Sequence, residues 1–576
     1  MTQRPTEPAA SRSSRRAAAR AARRRSALAV GSAAVLSTGV VGAAVVAGAP
    51  QAHAVGTYEV TRLTDDADPG SLRWAITQAN GDAGSTITFA AGLTGTITLA
   101  SDLPTVSANT VITGPGSAVL AINGADAYEQ IHVTGSVDVS VSGLTLTNDD
   151  PGVDAAPALE VTGGATFVGT DLVVSNTQFN RSSSGPVHCA NSTLTLTDSV
   201  ITGNAKPIWA GAGGTLNNCA TTIDRSVVSD NTSSGAPGLL VSAGTLHVTA
   251  STFSGNLGST GGGAIFGYGA TITVVDSTIS GNTAPHSAAL GTNFASFTLE
   301  NSTVTGNTAS GARGEIIVVG PGSTMALVQS TITGNTADET LYGVEAYGYL
   351  PSSLTTTGTI LAGNAASTEV ASSYGTMLWT SEASVLGTAT LAITTDLGDN
   401  QTGVSDPGVA TLADNGGPTQ TMALLPDSPA LDAGPATPPV FPGSEWDQRA
   451  EPFVRVSGGR IDVGAFEEQP TPAAVLTYAG ATELSAGAGT VELAARVDPP
   501  ECRSGALRFL VDDVLVATVP VDDATGLAAV TTAVPVGSTA FTVEVRLIDS
   551  VCAADPLRVR VAVAAAGDEP VPTFTG

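Results

Sequence analysis

The sequence predicts an all-β protein, a parallel β-helix followed by a β-sandwich, on three observations. The first is a repeat. ITVVDSTISGNTA (Ile272 to Ala284) recurs as LTLTDSVITGNAK (Leu194 to Lys206), LHVTASTFSGNLG (Leu246 to Gly258), FTLENSTVTGNTA (Phe297 to Ala309) and MALVQSTITGNTA (Met325 to Ala337). Looser copies end at Asn148, Asn176, Asn231 and Asn364, and the eight intervals from Asn148 to Asn364 average 27 residues. A period of that size marks stacked units, each too small to bury its own apolar face. The second is period-two alternation of β-branched residues inside each copy, with no apolar spacing of three and four, which excludes a helical solenoid. The third is a run of alternating segments beyond Gln469, with turns every 8 to 12 residues.

The columns of the repeat assign each position. An apolar residue stands three before the Asn, at Ile201, Phe253, Ile279, Val304 and Ile332, and others stand eight and ten before it, as in Val274 with Ile272. Residues two apart share a strand face, so each pair is one strand's inward face. The odd step of five between the two sets requires a bend near Asp276 and Ser277. Serine recurs at that bend (Ser199, Ser226, Ser251, Ser277, Ser302, Ser330), and Gly-Asn, a turn pair, closes the copy. Stacked at about 4.8 Å per coil, nine coils make a rod section roughly 40 Å long. In it Asn204, Asn231, Asn256, Asn282, Asn307 and Asn335 form an amide ladder. Positions four and two before the Asn face outward and are often Thr or Ser, as in Thr278 with Ser280, Thr303 with Thr305 and Thr331 with Thr333. Such hydroxyl ranks look like an ice-binding array, yet β-propensity and solubility alone also produce them.

Composition points outside the cell. The 576 residues carry a formal net charge of −28, only 13% charged residues and 66 glycines. Eight of the 23 basic residues precede Leu28, and removing that segment leaves 15 basic against 50 acidic residues. So acidic a body repels nucleic acid and anionic lipid, and no nucleic-acid partner is expected. Residues 1–54 read as an export signal: an Arg-rich start, an Ala/Val/Gly stretch from Ala27 to Ala49 and an Ala52-His53-Ala54 cleavage site. Cleavage leaves no retained membrane span and a secreted or cell-surface chain; Sec and twin-arginine routes both stay open. Four cysteines fit an oxidising compartment. Cys189 and Cys219 sit at nearly the same phase of adjacent coils, where a bridge is geometrically reasonable, and Cys502 is expected to pair with Cys552. A metal site is the alternative, but there is no C-x-x-C.

At the N-terminal end, YEVTRLTDDADPGSLRWAITQAN (Tyr58 to Asn80) reads as a strand, an acidic turn and a helix N-capped by Ser71, with Leu72, Ala75, Ile76 and Ala79 on one face. Such an amphipathic segment covers the open end of a solenoid. Gly70 to Asn80 resembles the cap of bacterial surface β-helix proteins related to the CSLREA type, although the Cys of that motif is absent. After Asn364 the repeat decays, and Asp406 to Glu468 is of another kind. Its DNGGPT (Asp414 to Thr419), SPALDAG (Ser428 to Gly434), DQRA (Asp447 to Ala450) and DVGAFE (Asp462 to Glu467) resemble the module called choice-of-anchor Q. That resemblance spans roughly Tyr58 to Glu468 and implies a right-handed parallel β-helix, secreted or on a bacterial surface, without implying a reaction. DNGG and DAG are turn chemistry, while Arg449 and nearby carboxylates are expected to form a buried ion pair closing the helix end; a catalytic Asp/Arg cluster is the alternative.

The domain limits are therefore 1–54 (signal), 55–468 (β-helix with cap and closing module), 469–472 (linker) and 473–576 (sandwich). About seven strands in the last segment suggest an immunoglobulin-like sandwich, with Asp512-Asp513 as a hairpin turn. Parallel β-helices also host polysaccharide lyases and hydrolases, so chemistry has to be sought. Arg181, His188 and Lys206 are the one place in the rod where cations gather, a candidate ligand-binding patch or a set of solvated loop residues. Asp65, Asp66 and Asp68, and later Asp396 and Asp399, offer Ca²⁺ ligands without an EF-hand order, and turn capping explains them as well. No other cofactor is implied. The expected role is adhesin-like or structural, with an extracellular polysaccharide or surface glycoprotein as partner; the alternative is a polysaccharide lyase or glycoside hydrolase.

Overall fold

The computed structural model describes residues 55–148, 156–178, 185–206, 211–311, 313–337, 340–347, 349–365, 368–469, 474–548, 550 and 552–564. The expected signal segment and most of the expected linker lie outside them.

Residues 57–402 wind into a solenoid of parallel strands. One register column runs unbroken from Tyr58 through Ile87, Ile112 and Val141, on through Leu196, Ile223, Val248, Val274, Leu299 and Leu327, to Asp396. The positions expected to point inward do so: Ile201, Phe253, Ile279, Val304 and Ile332 are buried, as are Ile272, Val274, Phe297 and Leu299. The bend falls where the parity change requires it. Asp198, Arg225, Ala250, Asp276, Asn301 and Gln329 all take positive φ, 43 to 51°, just before the serine. Each serine then bonds twice. Ser277 Oγ donates to Val275 O at 2.6 Å and accepts the Ser251 N–H from the preceding coil at 3.1 Å.

At the next corner Gly281 takes φ +64°, and the amide ladder runs from Asn204 to Asn335 and on to Asn364, with Nδ2 to Oδ1 distances of 2.8 to 3.0 Å. Asn364 Nδ2 ends it on Glu369 Oε2 at 2.8 Å. One rung differs from the sequence reading. Asn176 occupies the Gly position with φ +55°, and Thr177 stands in the ladder, its N–H donating to Asn204 Oδ1 at 3.0 Å. That copy lacks the glycine, and Asn is the next residue to tolerate a left-handed backbone.

The N-terminal end of the rod is capped. At the start, Ser71 Oγ accepts the Trp74 N–H, and the helix Leu72–Ala79 buries Leu72, Ala75, Ile76 and Ala79 in the main core with Val60 and Ile87. At the far end a polar chain replaces the apolar column. Trp379 Nε1 donates to Thr356 Oγ1, which donates to Ser381 Oγ, which donates to Asn400 Oδ1, so the decaying repeat keeps its buried hydroxyls satisfied.

The segment 404–468 does not close the end. It lies along the flank, over the strands Thr278–Ser280, Thr303–Thr305, Thr331–Thr333 and Ile360–Leu361. Thr278 Oγ1 donates to Gln420 O at 2.6 Å, Thr303 Oγ1 donates to Gln448 Oε1 at 2.6 Å, and Thr331 Oγ1 accepts the Ala465 N–H at 3.0 Å. The threonine rank expected to face solvent is thus buried under protein, which excludes an ice-binding surface there. The expected Arg449 ion pair exists within this module. Its guanidinium meets Asp447 Oδ2 at 2.6 Å, between the rings of Phe453 and Phe466 at 3.9 and 3.7 Å. The pair is fully engaged in structure, since Asp447 Oδ2 also accepts the Glu467 N–H at 3.0 Å.

The C-terminal strands form two sheets sharing one apolar core. Val475–Tyr478, Thr490–Asp498 and Leu527–Ala533 make one; Glu483–Leu484, Ala506–Val511, Val514–Pro520, Ala540–Ile548 and Leu557–Val563 make the other. Asp512 and Asp513, at φ 46 and 66°, form the expected tight hairpin turn. The disulfides are Cys189–Cys219 and Cys502–Cys552, as expected.

Candidate functional site

One corner of the solenoid departs from pure architecture. It follows the strands Val187–Ala190, Leu239–Thr249 (at its middle), Ile265–Tyr268 and Leu290–Asn293. The corner residue takes a left-handed backbone in five successive coils: Asn191 (φ 51°), Asn218 (51°), Ala243 (59°), Gly269 (61°), Phe294 (53°). Asn and Gly accept that conformation readily, whereas a bulky side chain there is an outlier. Phe294 holds it while 48% exposed, and its ring meets that of Tyr268, 52% exposed, edge-on at 5.7 Å between centroids. Leu350, also exposed, adjoins the same ring across Gly322.

Toward the N-terminal coils this apolar platform gives way to a groove of about 410 Å³ lined by Gly164, Asn191, Ser192, Thr193, Asn218, Cys219, Ala220, Gly244 and Thr245. Within it Asn218 Nδ2 donates to Asn191 Oδ1 at 2.9 Å, and the Cys189–Cys219 bridge braces its floor. Amides, hydroxyls and exposed aromatic rings along one corner suit a neutral, hydroxyl-rich ligand better than an ion.

The face beside this corner carries the titratable groups. Register stacks His132, Glu160 and His188 on consecutive coils, followed by Thr215, Leu240 and Phe266. His188 Nδ1 lies 2.8 Å from Glu160 Oε1, and that hydrogen bond pulls the Glu160 carboxyl down to about 2. The Glu129 carboxylate 3.2 Å from His132 Nδ1 raises the imidazole, while burial raises Glu129 itself. Further along, His286 Nδ1 sits 2.8 Å from Glu315 Oε2. Burial, with the neighbouring Glu345 carboxyl, pushes Glu315 up to about 7. Both carboxyl oxygens of Glu345 are buried without a donor.

Of the cationic trio read from the sequence, only His188 can be placed fully. Arg181 and the side chain of Lys206 fall outside the described residues, and His188 faces a carboxylate. The calcium candidates are engaged elsewhere. Asp65 takes a two-point bond from Arg73 and the Ala100 N–H, Asp66 pairs with Arg62 at 2.7 Å, and Asp68 stands 3.6 Å from the same arginine. Asp396 caps a turn through the Gly398 N–H and Asn400 Nδ2, and Asp399 pairs with Arg460. The corner groove escaped the sequence reading because its residues differ from coil to coil; the one available signal was Phe294 where Asn or Gly stands in most neighbouring coils.

Among the described residues no helix is long and apolar enough to cross a membrane. The parallel register, inward apolar columns and amide ladder define a parallel β-solenoid. Residues 211–366 match the family model described as "Right handed beta helix region". No curated protein matches the chain.

Proposed function

We propose that this chain is an exported, adhesin-like rod that binds an extracellular polysaccharide along the corner from Asn191 to Phe294, with a C-terminal immunoglobulin-like domain as spacer. The observation that carries the reading is Phe294, an exposed aromatic in a left-handed backbone beside Tyr268. Backbone strain of this kind costs about 1–3 kcal/mol and persists where the side chain is used. Aromatic rings take the apolar faces of sugar rings, and the amides of Asn191 and Asn218 offer donors and acceptors to their hydroxyls. The two disulfides and the acidic body suit an extracellular rod.

The test is a glycan array and affinity electrophoresis with purified chain, alongside Tyr268→Ala and Phe294→Ala. Binding that falls at least about tenfold in both variants supports the reading; binding unchanged in both, or no glycan bound, sinks it. A second reading, a glycoside hydrolase, has one observation in its favour: Glu315, held near neutrality beside Glu345, is suited to donate a proton. A reducing-end assay on the same panel separates the two, since turnover lost in Glu315→Gln would establish the hydrolase.

A further inference from the structure

We propose that Glu129, His132 and Glu160 form a binding site for a divalent transition metal ion such as Zn²⁺, with His188 as the residue that orients Glu160. The site is distinct from the sugar-binding corner and does not depend on that reading.

Three observations converge on it. First, one ligand atom from each of Glu129, His132 and Glu160 lies within 4.8 Å of the other two. Zinc bonds of about 2.0–2.2 Å place tetrahedral ligands roughly 3.4 Å apart, so closure needs side-chain movement of about 1 Å and no backbone change. Second, the strand register fixes the arrangement. His132 and Glu160 are paired across Ile131–Thr134 and Leu159–Thr162, whose alternate residues Ile131, Val133, Leu159 and Val161 are locked in the core. Third, outer-shell partners are in place. Thr105 Oγ1 lies 3.5 Å from His132 Nδ1 and Thr162 Oγ1 3.4 Å from Nε2, so whichever nitrogen binds the ion, a hydroxyl stands by the other. His188 Nδ1 meets Glu160 Oε1 at 2.8 Å and leaves Oε2 for the ion.

The chemistry selects the ion. Two carboxylates balance a dication, and an imidazole favours zinc, copper, nickel or cobalt over calcium and magnesium, which take oxygen ligands. All four side chains are partly exposed, at 13 to 24%, so an ion can enter and water can complete its coordination. A bound ion would clamp the coil of His132 to that of Glu160. The adjoining coil pair is already clamped by Cys189–Cys219, next to His188.

The test uses the full chain, stripped with chelator and dialysed. Zinc chloride is titrated by calorimetry, and melting is followed with and without zinc. The expected result is one zinc per chain, a raised melting temperature, and no response to calcium or magnesium at the same concentration. His132→Ala and Glu129→Gln should each weaken zinc binding at least about tenfold, and His188→Ala should weaken it by about tenfold without changing the stoichiometry. Glu129 precedes the strand, so its variant keeps the test valid if His132→Ala disturbs folding. No zinc binding by the wild type overturns the proposal, and so does unchanged affinity in Glu129→Gln.

Discussion

The hydroxyl of Thr303 donates to Oε1 of Gln448 at 2.6 Å, joining residues 145 positions apart. Gln448 Nε2 also donates to Ser277 O and to the hydroxyls of Thr278 and Thr419, so one buried amide fastens the flank module to two coils. Gln448→Leu, of similar volume, leaves the buried Thr303 hydroxyl without its acceptor, at about 1–3 kcal/mol, and takes one bond each from Thr278, Thr419 and Ser277 O, which keep Gln420 O, Asp276 O and the Thr303 N–H as partners. A clear loss of stability in urea melts is expected, and Thr303→Val in the same background should recover part of it. A melt unchanged from wild type would show that the flank module is not held here.

The amide ladder predicts a second loss. Asn307 accepts the N–H and Nδ2 of Asn282 and donates to Asn335 and to Ile279 O, all buried. Asn307→Ala removes every one of these at mid-rod and should cost about 2–4 kcal/mol by thermal unfolding. Ile279→Asp, a charge in the core beside it, should unfold several coils and abolish the cooperative far-UV circular dichroism transition.

Buried carboxyls set a pH dependence. Burial pushes Glu369 up to about 7, against the hydrogen bonds from Asn364 that lower it. A carboxyl raised on folding binds its proton more tightly in the native state. Its contribution is therefore full below about 4.5 and lost as pH rises through about 7. Glu369→Gln mimics the protonated form, so the variant should melt higher than wild type at pH 8 and alike at pH 4.5. The difference at pH 8 is at most about 3 kcal/mol. Burial likewise raises Asp276 to about 7 and Glu467 to about 8, which adds to the same slope in the wild type.

Cys189 and Cys219 link adjacent coils at the floor of the corner groove. Replacing both by Ser should lower stability by about 2–4 kcal/mol. If the groove binds glycan, affinity should fall with it; intact affinity in a destabilised variant would place the ligand elsewhere.

The sequence by itself determined the solenoid, its inward columns, the bend at Asp276 and Ser277, the ladder and the Cys189–Cys219 bridge. Each of these is a relation between like residues one coil apart, so the hydrogen bond or contact that repeats in space also repeats along the chain. Thr278, Thr303 and Thr331 show where that logic stops. Their period marked them as one rank, but whether the rank met water or protein depended on Gln420, Gln448 and Ala465, which belong to no repeat. The closing segment was recognised as separate and its Arg449 pair foreseen, yet its place on the flank was decided by contacts over more than a hundred residues. The corner of Asn191, Asn218 and Phe294 and the cluster of Glu129, His132 and Glu160 were likewise settled only by folding. Stacking brings together outward side chains that share no motif, and a periodic backbone constrains their position without constraining their identity.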